Sequence, residues 1–61
     1  MKRDIIFILD EPFVLTLDAE GKHFRIIFRS MDIVYLDETF TTYEGALAAY
    51  LKIQDDPIAY L

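Results

Sequence analysis

His23 is the only side chain in the sequence whose ordinary pKa lies near neutrality, which makes it the first residue to weigh as a general base. A catalytic histidine needs an orienting partner and a nucleophile or substrate proton within reach, and no Ser or Cys nucleophile stands at a motif spacing from it. His23 alternates with Phe24 at the start of an extended pattern and reads as an exposed strand residue. The adjacent carboxylates Asp10-Glu11, Asp37-Glu38 and Asp55-Asp56 are the other chemically suggestive groups. Neighbouring residues on a strand point to opposite faces, and nothing resembles a calcium-binding loop, so these pairs read as strand and helix terminators. The chain has no cysteine, which excludes disulfides and a zinc site of the Cys/His kind. Gly21 and Gly45 are too far apart to build a glycine-rich phosphate loop. These residues predict no catalytic residue, no metal and no cofactor.

Four tyrosines remain as candidates for recognition. Tyr is suited to the border between an apolar surface and water. Tyr43 and Tyr50 fall on a helical apolar stripe and are expected in the core, which leaves Tyr60, in the C-terminal tail, as the best anchor for a partner.

The elements that must position these residues belong to one small domain, since 61 residues cannot build two cores. Hydrophobic residues make up 54% of the chain, with five Phe and four Tyr, and this is what lets it offset a conformational entropy cost of roughly 1.5 kcal/mol per residue. No apolar run approaches the roughly 20 residues needed to cross a bilayer. Met1-Lys2-Arg3 before an apolar run has the start of a signal peptide, but Asp4, Asp10 and Glu11 interrupt it and no cleavage site follows. A soluble, cytoplasmic protein is expected.

Residues 5–9, β-branched and aromatic throughout, predict a central strand covered on both faces, ended by Asp10-Glu11-Pro12. Residues 13–17 and 23–29 alternate and predict a hairpin, with Phe13, Leu15, Leu17, Phe24, Ile26 and Phe28 on its core face. Its turn is placed at Asp18-Ala19-Glu20-Gly21 as a type I turn with Gly21 at the bulge position. After a bend at Ser30-Met31-Asp32, residues 33–36 predict another strand closed by Asp37-Glu38. Thr41 and Glu44 have the spacing of a capping box, in which each side chain satisfies a free backbone N–H. The helix that follows carries its apolar stripe at Tyr43, Ala46, Leu47, Tyr50 and Leu51 and stops near Gln54, because Pro57 cannot continue it. The fold class is therefore α+β: an antiparallel three- or four-stranded β-meander with one C-terminal amphipathic helix packed on one face.

The Gly-Lys hairpin turn, a further strand and Phe40-Thr41-Thr42-Tyr43-Glu44-Gly45-Ala46 opening the helix resemble the three-strand-plus-helix arm-binding domains of phage integrases, over residues 13–52. The resemblance implies the fold alone. Those domains read DNA with a basic sheet, whereas this hairpin offers only Lys22, Arg25 and Arg29.

Residues 1–29 hold five acidic and five basic groups, and residues 30–61 hold Asp32, Asp37, Glu38, Glu44, Asp55 and Asp56 against Lys52 alone, so the net charge of −5 belongs to the second half. Direct nucleic-acid binding is disfavoured, because phosphate recognition needs a cationic footprint. A surface of carboxylates can instead imitate a phosphate backbone and occupy a basic groove. One helix leaves one sheet face bare, and Ile58-Ala59-Tyr60-Leu61 must either fold back over that face or join an interface. Two functions are expected from this. The first is a non-enzymatic protein-binding module, a small phage-type inhibitor or regulator, that blocks a basic nucleic-acid-binding protein through Asp32, Asp37, Glu38, Glu44, Asp55, Asp56 and Tyr60. The alternative is a structural homodimer that pairs through the open sheet face.

Overall fold

Every run of alternating residues in the first forty positions forms a strand. The computed structural model describes residues 1–61: β1 (Lys2–Ile8), β2 (Glu11–Glu20), β3 (His23–Ser30), β4 (Ile33–Phe40), α1 (Tyr43–Asp55) and a short 3-10 helix (Pro57–Tyr60). The strands form one antiparallel sheet in the order β1-β2-β3-β4, a meander with every connection two residues long. No helix is long and apolar enough to cross a membrane.

The core lies between α1 and one sheet face. Phe13, Leu15, Leu17, Ile26 and Phe28 are buried there, with Phe24 half-buried beside them, which is the face predicted from the hairpin's alternation. A bulge in β4 sets Leu36 against Phe28 and Val34 against Arg29, leaving Tyr35 as the extra residue. Tyr35 thereby joins Leu36 on the core side, with its ring 5.5 Å from Phe13 and 6.3 Å from Phe28.

Several sequence expectations are corrected. The 5–9 run is an edge strand rather than a central one, because a meander of two-residue turns leaves its first strand at the border. Ile6 and Ile8 face the helix, while Ile5 and Phe7 are exposed on the open face. Pro12 does not end a strand but occupies the second position of β2. The Ile8–Glu11 pair closes the turn, so the backbone of Pro12 points away from β1, where no β3 partner awaits its missing N–H. Its carbonyl accepts a hydrogen bond from the buried Ser30 hydroxyl at 3.1 Å. The central hairpin turns at Gly21-Lys22 rather than over residues 18–21, because pairing continues to Glu20 and His23; Gly21 supplies the positive φ, 63°, that the tight turn needs. Asp37 and Glu38 lie inside β4, which runs on to Phe40, and so terminate nothing.

The helix start moves by one residue. Thr42, not Thr41, is the N-cap, and its hydroxyl accepts from the Gly45 N–H at 3.1 Å, so no capping box forms with Glu44. A Cβ on Gly45 would sit 3.0 Å from that oxygen, which favours the bare glycine at this crowded position. The buried helical face is Ala46, Tyr50 and Ile53, flanked by Ala49. Tyr43, Leu47 and Leu51, expected in the stripe, lie about 60–140° around the helix from Ala46 at 3.6 residues per turn and line its margin. Tyr43 still packs edge-on against Phe24, 5.6 Å between ring centres.

Tyr50 joins the two ends of the chain. Its side chain is fully buried and its hydroxyl donates to Asp4 on β1, while Gln54 Nε2 donates to the same carboxylate at 3.0 Å. A hydroxyl has one proton, and the charged oxygen takes it in preference to the Leu15 carbonyl at 3.4 Å. Burial, then the hydrogen bond to Asp4 and that group's charge, raise the Tyr50 pKa far above its ordinary value, so the phenol keeps its proton.

Two stability outcomes follow. Thr42→Ala should cost about 1 kcal/mol in urea unfolding while Thr41→Ala stays within about 0.5 kcal/mol, the ordering expected for a single N-cap oxygen; the reverse ordering would restore the capping box at Thr41. Tyr50→Phe should cost about 1.5–3 kcal/mol, the range for a hydrogen bond to a charged group, and a smaller loss would show that Asp4 is satisfied without it.

Candidate functional site

Because a meander alternates direction, the β1–β2 and β3–β4 turns fall at one end of the sheet and the β2–β3 turn at the other. The helix starts beside the latter and runs back, which delivers residues 55–61 to the end that carries the first two turns. Eight of the eleven large hydrophobic residues that are exposed gather toward this end: Ile5, Phe7 and Leu9 from the first hairpin, Met31, Ile33 and Val34 from the second, and Ile58 and Leu61 from the tail. Phe7 is 70% exposed, Met31 78% and Leu9 97%.

The two turns that hold Leu9 and Met31 are built in an uncommon way. Leu9 and Asp10 have φ of 51° and 67°, the pair of positive values of a type I′ turn, and Met31 has φ of 49°. Such positions favour Gly, Asn or Asp, and a leucine or methionine there is strained by its own Cβ. An apolar side chain at the tip of a strained turn does nothing for the core, and strain kept in a structure is a pointer to function.

Between the first turn and the tail the chain leaves an open groove of about 450 Å³ lined by Phe7, Ile8, Leu9, Pro57, Ile58 and Leu61. A second hollow lies beside it against Glu11, Phe13, Tyr35 and Leu61. Around from the groove, the open sheet face continues the apolar surface through Pro12, Val14, Ile27 and Val34. Val14 is paired with Ile5 on one side and Arg29 on the other, and Arg29 with Val34.

The other end of the open face is polar. Arg25 makes a bidentate contact with Asp37, Nε to Oδ1 at 2.7 Å and Nη2 to Oδ2 at 2.5 Å, and reaches Glu20 at 3.4 Å. The hydrogen bond from Arg25 holds the Asp37 carboxyl below the usual carboxylate range, with some opposition from burial, and the same partners raise the guanidinium pKa further. His23 stands exposed beside Glu20's strand end. No group of three or more His, Cys, Asp or Glu side chains comes together to hold a metal ion.

The carboxylates singled out from the sequence are distributed as follows. Asp32 sits in the β3–β4 turn and Asp55 and Asp56 at the helix C-terminus, so these three share the apolar end with Asp10 and Glu11. Asp37 is on the open face and engaged by Arg25. Glu38, next along β4, points to the helix side, and Glu44 lies in the first helical turn at the far end. Tyr60 is half-buried against the margin of the core, and the exposed apolar residues of the tail are Ile58 and Leu61. Sequence reasoning missed Leu9, Phe7 and Met31. The available signal was an apolar residue immediately before an aspartate at two predicted turns, Leu9-Asp10 and Met31-Asp32.

Replacing Leu9 and Asp10 together by Asn and Gly, the pair best suited to a type I′ turn, should raise stability by about 1–2 kcal/mol, chiefly by removing the left-handed strain of Leu9. Urea unfolding measures this, and a loss of stability would mean that Leu9 is held in place by contacts stronger than its strain.

No known protein family, no curated protein and no solved structure matches the chain.

Proposed function

We propose that this chain is a non-enzymatic protein-binding module, a small inhibitor or regulator, that docks on its target through the apolar end of the sheet. The observation that carries this reading is the gathering of eight exposed large hydrophobics at one end of a 61-residue domain. Four of them, Phe7, Leu9, Ile58 and Leu61, line one groove, and contiguous apolar surface marks interaction sites in folded proteins. The net charge of −5 selects a basic target, a nucleic-acid-binding protein among them, by speeding encounter and by repelling acidic competitors. A cysteine-free chain accords with action in the cytoplasm.

A second reading, a homodimer stacked through the open face, is favoured by one observation: Ile5, Val14, Ile27 and Val34 lie on neighbouring strands of that face. Sheets pack face to face through such residues.

Affinity capture with the intact chain should yield a stoichiometric basic partner that is lost with Phe7→Asp or Leu9→Asp and kept with Leu51→Asp, a substitution on the exposed helix flank. Capture that yields no such partner at low and moderate salt alike, with light scattering showing a dimer, would replace the module by the homodimer.

A further inference from the structure

The groove between the β1–β2 turn and the 3-10 tail has a ligand chemistry of its own. About 450 Å³ is within the range of about 300–1,000 Å³ typical of ligand pockets. A small molecule is usually surrounded in its site, however, and this groove is open along one side. Its walls are aliphatic and aromatic, so what it can hold is apolar side chains presented from outside by a larger body.

The rim decides what else that body carries. Asp10 and Glu11 follow directly on Leu9, Asp56 directly precedes Pro57, and Asp32 follows Met31 in the adjacent turn. None of these four carboxylates is ion-paired within the chain, whose salt bridges join Arg25 to Glu20 and Asp37. The cations of this end are Arg29 on the open face and Lys52 in the last turn of α1, against the five carboxylates Asp10, Glu11, Asp32, Asp55 and Asp56. An apolar groove with an anionic rim is complementary to a segment that is apolar on one side and cationic on the other.

We infer that the groove receives a cationic amphipathic helix of the target protein, with an apolar side chain seated between Phe7 and Ile58 and Lys or Arg side chains paired with Asp10, Glu11, Asp32 and Asp56. This rests on the protein-binding reading above and names the recognised element. Helix-in-groove docking reads apolar anchors at i, i+3, i+4 and i+7, and the surrounding charges set specificity. A second copy of this chain is a poor occupant, because a symmetric contact at this end brings the same carboxylates face to face. An anionic bilayer is disfavoured by the same charges.

The test uses the intact chain and three synthetic peptides: two share Leu at i, i+3, i+4 and i+7, one with Lys and Arg at the polar positions and one with Glu there, and the third has the composition of the cationic peptide in an order that abolishes the apolar stripe. Fluorescence anisotropy and amide chemical shifts are recorded at low and moderate salt. The cationic helix should bind at least about tenfold more tightly than either control, weaken as salt rises, and move the resonances of Phe7, Leu9 and Ile58. Ile58→Asp, and separately Asp10→Asn with Glu11→Gln and Asp56→Asn, should each lower its affinity about tenfold or more while leaving the circular dichroism spectrum unchanged.

Equal binding of the Glu peptide, shifts confined to the helix flank, or no binding at all would overturn the inference. So would concentration-dependent shifts of these resonances without peptide, which would give the groove to a second copy, or binding to vesicles of phosphatidylserine and phosphatidylcholine, which would give it to a membrane. A captured partner that still depends on Phe7 and Leu9 when the peptides fail would leave the protein-binding reading standing without this recognised element.

Discussion

One helix must serve four strands, and most of what is distinctive in this molecule follows from that. A helix is about 10–12 Å across, and four strands at about 4.8 Å spacing are wider than that, so α1 covers the middle of one face and leaves the other untouched. The helix packs mainly on β2, β3 and β4, while β1 adds Ile6 and Ile8 at the margin of the core and polar contacts through Asp4. The buried Tyr50 is the joint between them. Its ring contributes apolar area at the centre of the core, and its hydroxyl ties a residue near the start of the chain to one near the end.

That economy gives a short, cysteine-free chain a core. The core consists of eight buried hydrophobic residues, with aromatic rings of Phe13, Phe28 and Tyr35 in mutual contact. Rings of this size bury more area per ordered residue than aliphatic side chains, which matters when the chain is near the lower limit for an independent fold. The chain nevertheless leaves Leu9, Phe7 and Met31 in water. A sequence under pressure for stability alone would place Asn or Gly at such turns, and keeping Leu and Met there is the kind of local inconsistency that binding sites display.

The acidity of residues 30–61 also looks different once it is placed in space. Asp37 is spent on Arg25, and Glu38 and Glu44 lie apart from it on another face and at another end. What remains together is Asp32, Asp55 and Asp56, joined from the first half of the chain by Asp10 and Glu11. The charge asymmetry along the sequence is largely evened out in space, and what distinguishes the apolar end is that its five carboxylates stand outside the Arg25 ion pairs.

The sequence by itself determined the strands, the core face of the central hairpin and the single helix, because alternation with period two, a helical period of 3.6 and the turn residues act locally. Ala46 and Tyr50 were legible as core for the same reason. Tertiary structure decided the rest. The apolar run of residues 5–9 suits a buried strand and an exposed edge equally, and only the order of strands in the sheet chose between them. The helix turns its predicted stripe partly aside, so that Ile53 joins Ala46 and Tyr50 against the sheet while Tyr43, Leu47 and Leu51 line the margin. The capping oxygen fell to Thr42 rather than Thr41 because helix entry is fixed by where β4 ends, at Phe40. The apolar end was invisible in the linear chain, since its parts are separated by up to some fifty residues and meet only because antiparallel pairing and the returning helix carry them to one place.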